Sequence, residues 1–291
     1  GFTNGYIDAA YLGARLQITG ALLAKAKSDA HAFVSGLKTS TQKCMESCRD
    51  DQNREVYGNP VSIGGAYPTG VITQINGTAA SATQTVDDSR WLLPGYTYLV
   101  GTAAEIAAGT AVLAVVSSVT NSTTVVFTAS ISVVDNDIIT RAHSASAGAN
   151  AYGLEMSGLN FMVNNVAYQS IDPATYPVWA STVNSNSGTL RNLTIGLMDV
   201  TYDTIADTSG EEPDFMLMHR STRRQYKNQL SDDVRYSPKK LEGGWETLTY
   251  SNGDKPCPIH VDRYATYGQI LMLNSKAIEM YELEPWSFMD L

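Results

Sequence analysis

Cysteine is scarce in this chain: Cys44, Cys48 and Cys257 are the only 3 in 291 residues. Three thiols cannot build a disulfide framework, which excludes a stapled secreted scaffold and points to a reducing compartment. No apolar run approaches the roughly 18 residues that a membrane-spanning helix needs, and no basic stretch followed by an apolar one opens the chain. A soluble, unsecreted protein with no membrane partner is therefore expected. The sequence begins at Gly1 without a methionine, which points to processing or to a preceding segment. Charge is also sparse, 17% of residues, and weighted to acid with 29 carboxylates against 20 Lys and Arg, a net −9. Such a surface lacks the basic stripe of a sequence-reading nucleic-acid binder, so any DNA contact should be non-specific proximity.

Chemical signatures are equally thin. The histidines, His31, His143, His219 and His260, stand in no HExxH or HxH spacing, and Cys44 with Cys48 has no second ligand pair nearby, so no metal site is expected and these cysteines read as small buried apolar groups. The glycine-rich "SIGGAYPTG" lacks the Lys-Ser/Thr ending of a phosphate loop, and no GxSxG turn presents a serine. The carboxylate pairs Asp87-Asp88, Glu211-Glu212 and Asp232-Asp233 fall in polar, turn-like stretches where solvated charge is the ordinary role. No cofactor and no catalytic residue is assigned.

What is present is a sequence of abrupt compositional blocks, with enough hydrophobic content, 43%, to offset the entropy of ordering a core. Residues 28–60 read as one long helix: Ser28 can cap it, Asp29 suits its first turn, and Gly58 and Pro60 stop it. Phe33, Leu37, Thr41, Cys44, Cys48 and Val56 would form its apolar stripe, with Glu46–Arg49 and Asp50–Arg54 pairs opposite. At about 1.5 Å per residue it runs on the order of 40 Å, a spine rather than an enzyme helix.

No lysine then occurs between Lys43 and Lys227, and "TYLVG", "TAVLAVVSSVT", "TTVVFTASISVV" and "DIITRA" are β-branched runs separated by Gly, Asn and Asp turns. They predict an antiparallel sandwich or barrel inserted over about 60–145. Mixed structure returns afterwards. Leu190, Leu193, Leu197, Thr201 and Ile205 follow helical spacing behind a Thr189 cap; Phe215 to Met218 predict a strand before an amphipathic helix; residues 243–264 alternate like a hairpin turning at Asn252-Gly253; one more strand precedes a short terminal segment.

Two stretches carry candidate contacts. "SIDPATYPVWASTVNSNSG", 170–188, has two prolines that fix φ and the large faces of Tyr176 and Trp179, which suit either a packed internal corner or an interface anchor. "HRSTRRQYKNQ", 219–229, places Arg220, Arg223 and Arg224 on adjacent helical turns, able to pair with carboxylates of a neighbouring subunit.

The order of these blocks, a long helix ending "DDQNREVYGNP", a β-rich insert ending "DNDIITRA", then "GLEMSGLNFMVNN", "SIDPATYPVWAS", "PDFMLMHRSTRRQY" and "KKLEGGWETLTYSNGDKPCPI", resembles the major capsid proteins of tailed double-stranded DNA bacteriophages. The resemblance covers nearly the whole chain. It implies an α+β, Hong Kong 97-like capsid fold: the distal part of an extended loop at 1–27, a spine helix at 28–59, an inserted β subdomain at 60–145, peripheral domain at 146–188, axial domain at 189–256 and C-terminal strands at 257–291. It further implies a non-enzymatic shell subunit, assembled in the host cytoplasm into pentamers and hexamers of a virion, with scaffold, portal and decoration proteins as possible partners. Subunit contacts are expected at Tyr6, Tyr11, Arg15, Trp179, Arg220, Arg223 and Arg224, and assembly without covalent crosslinks. Alternatives from other classes are a tube or decoration protein, a binding module using the β insert, and a hydrolase built around Asp172.

Overall fold

Ala30–Tyr57 form a continuous helix, α1, of 28 residues, about 42 Å long. The computed structural model describes residues 9–14, 16, 20, 30–59, 67–144, 146–230, 249–250 and 256–287, so the cap expected at Ser28 lies outside the described residues. The helix ends as the sequence predicts, at Gly58, whose φ of +72° follows an N–H donated to the Arg54 carbonyl at 3.0 Å. The expected stripe is its less exposed side, but full burial is reached only toward the C-terminal end. Leu37, Thr41 and Cys44 are only half-buried and Val34 and Met45 are exposed, whereas Cys48, Arg54, Glu55 and Tyr57 are buried. The reason is positional: the contacts to Arg141, Glu155 and Gly158 all fall on the last two turns.

Gly158 sits against the end of α1 so closely that a Cβ there would overlap the Glu55 carbonyl and the Gly58 amide, with Gly58 Cα at only 2.6 Å. Backbone cannot yield as a flexible side chain can, so Gly158→Ala is expected to cost about 3 kcal/mol, read as a lower urea midpoint with an unchanged slope. The following turn, α3 (Leu159–Met162), completes this junction.

The β-branched runs form one six-stranded antiparallel sheet: β1 (Val71–Gln74), β2 (Ala79–Thr85), β3 (Thr97–Gly101), β4 (Val112–Asn121), β5 (Thr124–Val133) and β6 (Ile138–Arg141). Its order is β1-β6-β3-β4-β5-β2. Irregular register in the β1/β6, β2/β5 and β4/β5 pairs raises local twist, and the sheet curls until its outer strands meet. An Ile75–Val86 bridge, Asn76 N–H to the Thr85 carbonyl (2.8 Å) and Asp87 N–H to the Gln74 carbonyl (3.1 Å) join them. Tyr98, Val100, Val116, Val125, Phe127 and Ile139 fill the inside.

Strand β3 reads as a continuous apolar run because both its faces are covered. Tyr98 and Val100 point inward, while Leu99 packs outside with Ile106, Val71 and Ile138. Ile106 belongs to α2 (Ala103–Ala108), an unexpected helix whose Thr102/Glu105 capping box and left-handed Gly109 are plain in "TAAEIAAG".

The described residues divide into two compact units, one within Asp8–Met162 and the other within Val163–Leu291. In the second, α4 (Ile195–Ser209), β7 (Phe215–Met218), α5 (Arg220–Leu230), β8 (Thr249–Tyr250), β9 (Cys257–Val261) and β10 (Ile270–Leu273) form a four-stranded sheet of order β10-β7-β9-β8 with helices packed on it. Only β7 and β9 run parallel, joined by the crossover that holds α5. The hairpin of β8 and β9 is as expected, although its Asn252-Gly253 turn lies outside the described residues. Helix α4 starts later than expected. Thr194, not Thr189, caps it by accepting the Leu197 N–H, and Met198 and Tyr202 form its buried face while Leu190 stays exposed. The leucine spacing ran from coil into helix and simulated an extra turn. The molecule is thus an α+β chain with five helices among its described residues.

Candidate interaction surfaces

Of the residues expected at contacts, Tyr6 and Arg15 lie outside the described residues. Tyr11 is 89% exposed. Trp179 closes a 3-10 turn, Pro177–Trp179, that starts where the Asp172 carbonyl has accepted the Thr175 and Tyr176 N–H groups. Asp172 Oδ1 accepts the Ala174 N–H at 2.9 Å, so this carboxylate organises a turn. The internal-corner alternative is overturned: Pro173 is buried, but Trp179 is 44% and Val178 101% exposed, and Tyr176, Val183 and Leu190 are exposed too. Two prolines spend the conformational freedom of this segment in advance, which holds its apolar side chains outward instead of letting them collapse.

The same segment stores backbone strain. Gln169 and Ser170 both have positive φ, 52° and 65°, in a two-residue turn between Tyr168 and Ile171, which exchange hydrogen bonds of 3.0 and 2.9 Å. Such a turn ordinarily takes Asn-Gly. Asn186 and Ser187, at 50° and 54°, repeat the conformation before the exposed Leu190.

Arg220, Arg223 and Arg224 are all exposed on α5, joined by Lys227, while Thr222 and Tyr226 bury its other side. The three arginines therefore share one solvent-facing surface with no acidic residue in the helix.

Sequence reading missed the densest charge cluster, because it joins residues about 90 and 100 positions apart. Arg54 Nη2 donates to Glu155 at 2.5 Å, with Glu55 at 3.9 Å, and Arg141 grips Asp51 through both terminal nitrogens at 2.5 and 2.8 Å. Glu55 is only 4% exposed. Burial, reinforced by the charge of Glu155 and opposed by Arg54, pushes its carboxyl up to about 7. Because this lies above the unfolded value, the protonated form favours folding: the contribution is full below pH 4.5 and is lost as pH rises through about 7. Glu55→Gln, which stays neutral, is expected to gain on the order of 2 kcal/mol over the parent at pH 8 and nothing at pH 4.5. Urea melts of both proteins across that range would reveal a constant difference if the carboxyl titrated normally.

Reactive groups elsewhere are tied into structure. Burial pushes the Cys257 thiol up to about 11, against a nucleophilic thiolate, and the Tyr202 hydroxyl up to about 12, where it donates to Glu212 at 3.3 Å. Tyr250 donates to Asp199. Glu211 accepts from Asn274 at 2.7 Å, Asp87 from Asn76 at 2.8 Å, and Asp88 from the Arg90 guanidinium at 2.7 Å. Asp232 and Asp233 lie outside the described residues. Among the described residues no three metal-ligating side chains converge. One surface cleft is lined by Asn192, Leu193, Gln225, Asn228 and Gln229, and another has Glu211 as its single carboxylate.

The chain matches no known family model, no curated protein and no solved structure. Its functional reading therefore rests on its own surfaces. No helix among the described residues is long and apolar enough to cross a membrane.

Proposed function

We propose that this chain is a structural subunit of an icosahedral shell, the major capsid protein of a tailed double-stranded DNA bacteriophage with a Hong Kong 97-like fold. The observation that carries this reading is the concentration of exposed large apolar side chains in irregular segments: Tyr176, Val178, Trp179, Val183 and Leu190 in one, Met280, Tyr281, Leu283 and Trp286 in another. A monomer gains nothing by presenting such surface, whereas a subunit that buries it against copies of itself gains at every contact.

The long helix supports the same reading, since much of its length carries exposed residues and, among the described residues, its ion pairs to Glu155 and Arg141 lie on its last turns. A shell subunit needs complementary faces and no tuned catalytic group. Pentamers and hexamers of this chain would form the shell, with scaffold, portal and decoration proteins as partners in the virion. An acidic surface, net −9, keeps packaged DNA from binding tightly. The curled sheet, with a core of its own, suits an outward subdomain; a separate binding role for it is the alternative.

Negative-stain electron microscopy of the full chain, combined with sedimentation velocity, tests the proposal. Closed isometric particles or five- and six-fold capsomers are expected. A species that stays at 31.4 kDa under assembly conditions would refute it and turn attention to the curled sheet as a ligand-binding module.

A further inference from the structure

We propose that the acidic, aromatic C-terminal segment of one copy, residues 278–287, docks on the basic face of α5 in a second copy. The inference rests on the self-assembly reading and names the surface through which two copies meet.

Helix α5 carries Arg220, Arg223, Arg224 and Lys227, all exposed, and none of the four ion pairs among the described residues uses them. Four cations on 11 residues with no ion pair among the described residues are conspicuous in a chain of net charge −9. The segment 278–287 offers the complement. It follows the 3-10 turn Ser275–Ala277, enters neither sheet, and presents Glu279, Glu282 and Glu284 among the exposed Met280, Tyr281, Leu283 and Trp286.

Spacing fits as well as charge. On a helix Arg220 and Arg224 lie about 6 Å apart along the axis, and Arg220 and Lys227 about 10 Å. Opened into an extended stretch, Glu282 and Glu284 would project from one side of the chain about 6.6 Å apart. Arginine can fork onto each carboxylate while its stem and guanidinium plane cover Tyr281 or Trp286. Within a single chain the segment leaves these apolar groups exposed, so the contact they suit comes from a neighbour.

The test uses full-length chains. Arg223→Glu/Arg224→Glu and Glu282→Lys/Glu284→Lys alter only exposed positions, so far-UV circular dichroism and melting should match the parent. Each variant alone should need at least about tenfold more protein to assemble. An equimolar mixture should co-sediment, since each reversed face then meets its opposite, and all four substitutions in one chain should restore assembly.

Variants that assemble like the parent would overturn the proposal, as would a mixture no better than its separate parts, which would mean that the segment folds back on its own helix. Co-sedimentation is read at any size from dimer upward, and particle shape separately by microscopy. Complementation without closed shells would refute the shell and keep this contact, while shells indifferent to charge reversal would do the opposite.

Discussion

Arg54→Ala is expected to destabilise the fold by about 3–5 kcal/mol at pH 8, a large share of the stability of an ordinary domain. Arg54 is buried at the end of α1 with its guanidinium 2.5 Å from Glu155 and 3.9 Å from Glu55. Removing it leaves two carboxylates facing each other out of water with no cation between them, and that cost exceeds the value of any single bond lost. Glu55 already titrates near 7 with the arginine present. The damage should therefore shrink as pH falls and Glu55 takes up its proton. Arg54→Ala combined with Glu155→Ala should recover much of the loss, because the second substitution removes one of the stranded charges. Urea titrations at pH 5 and pH 8 decide the matter: an equal penalty at both values would mean that Arg54 acts through packing alone.

Trp179→Ala should leave the monomer folded and abolish assembly at concentrations where the parent assembles. Trp179 is 44% exposed at the end of a proline-fixed turn, so truncation removes little internal packing. At an interface the same ring would be an anchor, and losing one costs about 2 kcal/mol or more per contact, roughly 30-fold in affinity, multiplied around every ring of subunits. Val178→Asp, at a fully exposed neighbour, should act in the same direction by placing a charge in the patch. Melting curves within a degree or two of the parent, together with sedimentation of the variants as small species, are the expected pair of results. Normal shells from both variants would remove the 176–190 segment from the interface.

Local chemistry made several elements legible in the sequence. The β-branched runs became β3, β4, β5 and β6, because residues that pack well on a pleated surface between Gly, Asn and Asp turns have few other places to go. Phe215–Met218 and the helix after it appeared as read, since Met216 and Met218 alternate inward and Thr222 and Tyr226 recur at helical spacing. Helix α2 was equally legible and was overlooked: its capping box and its glycine stop are local signals hidden inside a region dominated by strands.

Other features had no local signal. The leucine spacing from Leu190 implied a helix one turn too long, because periodicity cannot tell which residues will have a partner to bury against. The expected stripe on α1 is its less exposed side, but how deeply each position is buried, half for Leu37, Thr41 and Cys44 and fully for Cys48, had no local signal. In the 170–188 stretch the same prolines and aromatics suited a core corner and an exposed anchor equally well, and only the surrounding chain decided for exposure.

The sequence by itself determined the block order, strands β3 to β6 of the curled sheet, the end of α1 at Gly58 and the basic face of α5, all properties that depend on neighbours a few residues away. Only the tertiary structure decided that Arg54 meets Glu155, that Arg141 grips Asp51, that the sheet curls until β1 reaches β2, and that Trp179 faces solvent. Those outcomes depend on which distant segments share one volume, and burial, which sets both the charge state of Glu55 and the exposure of Trp179, is a property of that volume.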